Sequence, residues 1–274
     1  MSFFVCPVCN SVLLEQESKY SCENNHCFDK AKQGYVNLLM SQQSSLKRHG
    51  DDKLMVKSRR DFLEDGYYSE LSDEICLTVN KFKKNDSVLV DVGCGEGYYT
   101  TKVKTHCDLH TVFGIDISKN ALQYAAKIDK SIKYAVASAF QLPFAAKSSD
   151  IILNIFAPCA YDEFERVLKD NGFLIKVVPL SEHLWELKEA IYKEPYKNKP
   201  EIKNDKLFHL VDSKELKYSI TLKTSEDIYN LFTMTPYYYK TSKEDAEKLL
   251  KLETLTTTVH FAIEIYKKVG TDNV

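Results

Sequence analysis

The stretch Val88-Leu89-Val90-Asp91-Val92-Gly93-Cys94-Gly95-Glu96-Gly97-Tyr98-Tyr99-Thr100-Thr101 decides the fold. An aliphatic run leads into D-x-G-x-G-x-G and a helix-compatible segment follows, so the stretch reads as strand, turn and helix. Glycine lacks a Cβ and takes positive φ freely, which lets the backbone of the turn come close to a nucleotide-like ligand. A dinucleotide turn, G-x-G-x-x-G, needs a small residue where Tyr98 stands. Asp91 would face a pyrophosphate badly and a cation well. S-adenosylmethionine has an ammonium and a sulfonium and no phosphate. The pattern favours that cofactor, with Asp91, Gly93 and Gly95 against it.

Downstream, His110-Thr111-Val112-Phe113-Gly114-Ile115-Asp116 reads as the next strand, with Asp116 at its carboxyl end. An acid about 20 residues beyond the glycines is placed to read ribose hydroxyls. Ser118 is expected to cap a helix through Ala126. A strand over 132–136 then leads into Ala137–Phe144, the third-strand exit that lies beside adenine in methyltransferase folds. The apolar run Ile151–Phe156 suits a strand buried on both faces of a parallel sheet. A fifth strand over 173–178 follows, and residues 217–222 and 256–266 alternate as a final antiparallel pair. The expected fold class is therefore α/β, a class I S-adenosylmethionine-dependent methyltransferase with a Rossmann-like seven-stranded sheet.

The N-terminus adds a different chemistry. Cys6, Cys9, Cys22 and His26 form C-x2-C-x12-C-x3-H, and a C-x2-C knuckle supplies two zinc ligands from one tight turn. The fourth ligand is open between His26 and the adjacent Cys27, with His26 preferred because Phe28 and Asp29 suit the return to a core. Four protein ligands close the shell, so the metal is structural. The expected organisation is a zinc-binding domain over 1–38 with RNA contact, a linker and helix over 39–69, and a methyltransferase domain over 70–274. A cleft-covering insertion is expected near 190–256, including a lysine-rich loop over 193–208. Ser69 or Ser72 is expected to cap the helix that enters the main domain.

Bulk composition narrows the partners. Net charge is −2, so nucleic-acid contact must come from local patches rather than from overall charge. Only Arg48, Arg59, Arg60 and Arg166 are present, and three of them fall within 13 residues. Arg59 and Arg60 are candidate RNA contacts. Hydrophobic content is 44% and no apolar run reaches membrane-spanning length, so a cytoplasmic protein without a membrane partner is expected. Cys159, in Ala157-Pro158-Cys159, imitates the nucleophile motif of RNA cytosine methyltransferases, but Phe156 stands where that motif has aspartate. A small packing residue is the better reading of Cys159. His183 is a lone histidine and on spacing alone a structural one.

These residues together resemble the bacterial 23S rRNA (guanine-N1)-methyltransferases of the RlmA type, relatives of the tylosin-resistance methyltransferases. The resemblance spans nearly the whole chain. Its carriers are Cys6-Pro7-Val8-Cys9, Cys22 with His26, Gly34-Tyr35-Val36-Asn37-Leu38-Leu39, Arg59-Arg60-Asp61-Phe62-Leu63, Asp91–Thr100, Ala157-Pro158-Cys159 and Met234-Thr235-Pro236. It implies a zinc domain on Cys6, Cys9, Cys22 and His26. It also implies S-adenosylmethionine contacts from Tyr68, Tyr99, Thr100 and His183, and a homodimer whose cleft holds a 23S rRNA hairpin. The implied reaction is methylation at N1 of guanine 745, with 748 second. Lys169-Asp170-Asn171-Gly172 departs from the K-P-G-G turn of that family. Two other readings compete: a methyltransferase for a small metabolite, and a zinc-dependent RNA-binding protein with a vestigial cofactor fold.

Overall fold

The computed structural model describes residues 3–40, 50–199 and 207–269. Residues 41–49 of the expected linker and residues 200–206 of the lysine-rich loop lie outside them. Three short antiparallel strands, β1 (Leu14–Glu15), β2 (Lys19–Ser21) and β3 (Cys27–Asp29), form the N-terminal ribbon. The next strand, β4 (Val36–Asn37), leaves that ribbon and pairs in parallel with β7 (Lys133–Val136).

The main sheet is built on β5 (Val88–Val92), β6 (Thr111–Asp116), β7, β8 (Ser149–Ile155) and β9 (Leu168–Pro179), all parallel. The long hairpin of β10 (Phe208–Leu222) and β11 (Leu255–Lys268) completes it, with β11 antiparallel to β9. The observed order is β10-β11-β9-β8-β5-β6-β7-β4. Among the described residues the sheet thus has eight strands, not the expected seven. The extra strand is β4, whose backbone covers the free edge of β7 that would otherwise expose unpaired amides.

All five residues of β5 are buried, as a strand covered on both faces requires. Leu89 points into one apolar cluster and Val88, Val90 and Val92 into the other. The first cluster takes the inner faces of α1 (Lys53–Glu64), α2 (Ser69–Phe82), α3 (Tyr98–His106) and α4 (Lys119–Ile128). The second takes α5 (Tyr161–Val167) together with Phe4, Leu13, Tyr20 and Val36 of the N-terminal module. Phe4 stacks edge-on against Phe113, and the Val5 amide donates to the Pro143 carbonyl at 2.9 Å. The zinc module is therefore fastened to the sheet by core contacts as well as by β4.

Local signals hold in most places. Ser118 caps α4 through its hydroxyl, and Asp52 caps α1. Neither Ser69 nor Ser72 caps α2: Tyr68 holds that position without a side-chain bond, because the helix start is fixed by burying the tyrosine ring. The next helix, α6 (Trp185–Ile191), begins after Leu184 at φ 57° and has no side-chain cap. After β10, α7 (Ser225–Thr233) is closed by a capping box of Thr224 and Asp227, and α8 (Lys243–Leu249) by Ser242. Among the described residues, no helix is long and apolar enough to cross a membrane.

Candidate active site and zinc centre

In an open parallel sheet, ligands bind beyond the carboxyl ends of the strands where the order reverses, here between β5 and β8. A cavity of about 840 Å³ lies there. The glycine turn forms its floor. Gly93 takes φ 85°, and any Cβ on it would overlap that of Ala157, so the turn can pass beneath the β8 exit only as glycine. Gly95 takes φ 56°, and its amide donates to Asp116 at 2.9 Å. The other Asp116 oxygen accepts from the Ser118 amide at 2.6 Å, which aims the carboxylate along the cavity wall.

The floor is acidic. Asp91 is buried; one carboxylate oxygen accepts from the Thr100 hydroxyl at 2.6 Å and the other has no partner. Glu96 is buried with one oxygen likewise unpartnered. Burial pushes both carboxyls up to about 7. For Asp91, the charges of Asp116 and Glu96 add to that push against the pull of Thr100. Burial also raises Asp116. Buried acids with free acceptor oxygens are a costly arrangement unless a cation completes them. The residues therefore fit S-adenosylmethionine: Asp91 and Glu96 would hold its cationic end, Asp116 its ribose hydroxyls, and the 137–140 segment its adenine.

A pH dependence follows from these shifts. Asp91 and Glu96 attract a cation only when ionised, so lowering the pH from about 7.5 to about 6 should weaken S-adenosylmethionine binding several-fold. Calorimetric titration measures this directly. A constant affinity across that window would mean that other groups hold the cation.

The expected site residues fall into distinct places. Tyr68, Asp91, Gly93, Gly95, Tyr99, Asp116 and His183 all line the cavity. Thr100 does not: it is fully buried behind Asp91 and acts on the site by holding that carboxylate. His183 leans on Phe261 with ring centroids 4.6 Å apart, and burial pushes its imidazole down to about 3. Its Nδ1 accepts from the His260 amide at 3.4 Å, so the neutral ring carries its proton on Nε2 and is a donor there. Arg59 and Arg60, paired in the sequence reading, separate in space. Arg59 lines the cavity, ion-paired with Asp51 and donating to the Met234 carbonyl at 3.2 Å. Arg60 lies on the outer face of α1, bonded to Asp61 and over the Tyr124 ring. Cys159 lies outside the cavity wall and packs against the second apolar cluster beside Tyr161.

Several cavity residues escape the sequence reading. Glu96 sits between two glycines of the decisive motif, and its identity was the one available signal. Phe156, Tyr196 and Asn198 have no local pattern that marks them, whereas Phe140 lies in the 137–144 segment already placed beside adenine. The segment carrying Tyr196 and Asn198 is clipped over the cavity by Lys188, whose Nζ donates to the Tyr196 carbonyl at 3.2 Å and to Asn198 Oδ1 at 2.8 Å.

In the N-terminal module the ligand atoms of Cys6, Cys9, Cys22 and His26 lie within 4.8 Å of one another. Cys9 and Cys22 sulfurs are 3.7 Å apart, and His26 Nδ1 is 3.5 Å from Cys6 and 3.4 Å from Cys22. Zn–S bonds of about 2.3 Å in a tetrahedron place sulfurs roughly 3.8 Å apart, so the four groups fit zinc. Cys27 is exposed, and its thiol points to the Asn25 carbonyl instead. The fourth ligand is His26.

Comparison with known proteins decides the family. Residues 4–47 match the family described as RlmA, N-terminal, and residues 90–176 match a methyltransferase domain. The Bacillus subtilis (strain 168) protein YxjB, provisionally named a 23S rRNA (guanine-N1)-methyltransferase, is 31% identical across 97% of this chain and 98% of its own length. The chain belongs to the RlmA-type 23S rRNA (guanine-N1)-methyltransferase family. The 23S rRNA (guanine(748)-N(1))-methyltransferase of Streptomyces fradiae is 33% identical over 68% of this chain and 66% of its own. The cofactor of this fold is S-adenosylmethionine, and the zinc ribbon carries its metal on three cysteines and a histidine.

Proposed function

We propose that this enzyme methylates N1 of a guanine in the domain II hairpin of 23S rRNA, at position 745 first and 748 second. The observation that carries the reading is the zinc ribbon fused to an acid-floored cofactor cavity, in a chain related over 97% of its length to a protein of that name. One relative is named for guanine 748, and the order of the two positions rests on the family resemblance alone. S-adenosylmethionine supplies an electrophilic methyl group when bound. Transfer would release S-adenosylhomocysteine and the guanine N1 proton, and the protein's own part is placement: Asp91, Glu96 and Asp116 hold the donor, and the ends of β8 and β9 form the wall that receives the acceptor.

A second, open groove of about 690 Å³ adjoins the acceptor end and shares Val178, Pro179, Tyr196 and Asn198 with the cavity. Lys176, Lys197 and Lys199 line it, which suits an RNA strand entering the cleft. Arg60 and the zinc ribbon are further candidates for RNA contact, and the same family resemblance supports a homodimer embracing one hairpin. The test is methyl transfer from labelled S-adenosylmethionine to protein-free 23S rRNA, followed by primer extension. Termination next to guanine 745 or 748 is the expected result. Label spread over other domains, or absent from RNA while the cofactor still binds, would overturn the reading.

A further inference from the structure

Among the described residues, the exposed large hydrophobic side chains that line the cavity are three aromatics: Phe140 at 68% exposure, Tyr196 at 47% and Phe156 at 44%. Phe140 follows β7 and belongs to the adenine side. Phe156 directly follows β8 and Tyr196 lies on the segment clipped over the cavity by Lys188, so these two face the acceptor side. An aromatic ring left half in water at the mouth of a cavity gains nothing for the fold from its exposed part.

Phe156 is also strained. Its φ is 53°, in the left-handed region that a bulky L-residue rarely adopts. The backbone is held there by its neighbours: the Phe156 amide donates to the Val177 carbonyl at 3.2 Å, and Ala157 presses on Gly93. The ring rests on Phe261 at 5.3 Å, and Phe261 in turn packs against Tyr68 and His183. A side chain driven into a strained backbone, supported from behind and exposed toward a ligand cavity, is arranged for contact.

We propose that Phe156 is the platform on which the target guanine stacks, with Tyr196 closing on its other face. The inference rests on the rRNA reading above. Guanine N1 lies on the pairing edge of the base and is out of reach inside a helix. The base has to leave its stack before a methyl group can approach. Unstacked bases of RNA loops are held by aromatic faces, and Phe156 supplies one at the acceptor end. Tyr196 is braced by the T-shaped Tyr237 at 6.5 Å and by the Lys188 ammonium at 5.2 Å from its own ring. The lysine-lined groove carries the flanking strand past the same residue.

The test compares Phe156→Leu, Phe156→Trp and Phe156→Asn with the unmodified enzyme, reading kcat/KM on a 23S rRNA fragment and the Kd for S-adenosylmethionine. Loss of one base–aromatic stack should lower kcat/KM roughly 10- to 100-fold in the leucine and asparagine variants. The tryptophan variant should stay within about threefold, because it restores a ring. The cofactor Kd should stay within about threefold throughout. Asparagine tolerates positive φ, so that variant should also keep its thermal midpoint and remain readable if another fails to fold. A leucine variant as active as the unmodified enzyme would overturn the proposal, as would cofactor affinity falling in step with RNA activity. An unmodified enzyme that binds the cofactor but leaves this RNA unmethylated would overturn the rRNA reading instead.

Discussion

Replacing Asp91 with asparagine should weaken S-adenosylmethionine binding by about 30-fold or more, because it removes one partner of a buried charge contact. The same substitution should raise the thermal midpoint of the ligand-free protein at about pH 8. The sign follows from the burial that pushes the Asp91 carboxyl up to about 7. A carboxyl whose folded pKa lies above its unfolded one holds its proton more tightly when folded. Its contribution to stability is therefore greatest at low pH and declines as pH rises through 7. Above that range the ionised acid opposes folding, and asparagine, which can still accept from Thr100, removes the opposition. A gain of several degrees with a loss of cofactor affinity is the expected pair of results, read by thermal melts and calorimetry. A variant that binds the cofactor as well as before would show that Asp91 does not hold the cationic end of the cofactor.

The second large effect concerns the metal. Substituting Cys9 and Cys22 with serine should abolish stoichiometric zinc, measured by atomic absorption on the full chain. The module has little apolar core of its own, and metal-held modules of this kind draw most of their folding energy from zinc. Its loss should also reach the sheet, since β4 and Phe4 belong to the main core. A fall in the thermal midpoint on the order of 10 °C is expected, with protease cleavage within the first 39 residues. Unchanged melting with zinc absent would mean that the module folds by packing alone.

The parts of the fold legible in the sequence were those with local causes. The strand-turn-helix at Val88–Thr101, the Ser118 cap and the spacing of Cys6, Cys9, Cys22 and His26 each depend on neighbours a few residues away. The same holds for Asp91 and Asp116, whose places follow from strand ends. What stayed hidden depends on distant chain. Val36–Asn37 looks like the end of a small module and becomes the edge strand of the large sheet only because β7 lies beside it. Arg59 and Arg60 read as one basic face, yet adjacent residues on a helix point about 100° apart. One turns into the acidic cavity and the other onto Asp61 and the Tyr124 ring. The strain at Phe156 has no sequence signature, since it arises from β9 and Gly93 holding the backbone.

The most direct measurement uses a synthetic domain II hairpin, the purified enzyme and S-adenosylmethionine, with the RNA digested to nucleosides and analysed by mass spectrometry. The expected product is 1-methylguanosine at up to one equivalent per hairpin, absent when the target guanosine is replaced by adenosine. Methyl groups found instead on cytidine, on another guanine atom, or only on small molecules would contradict it.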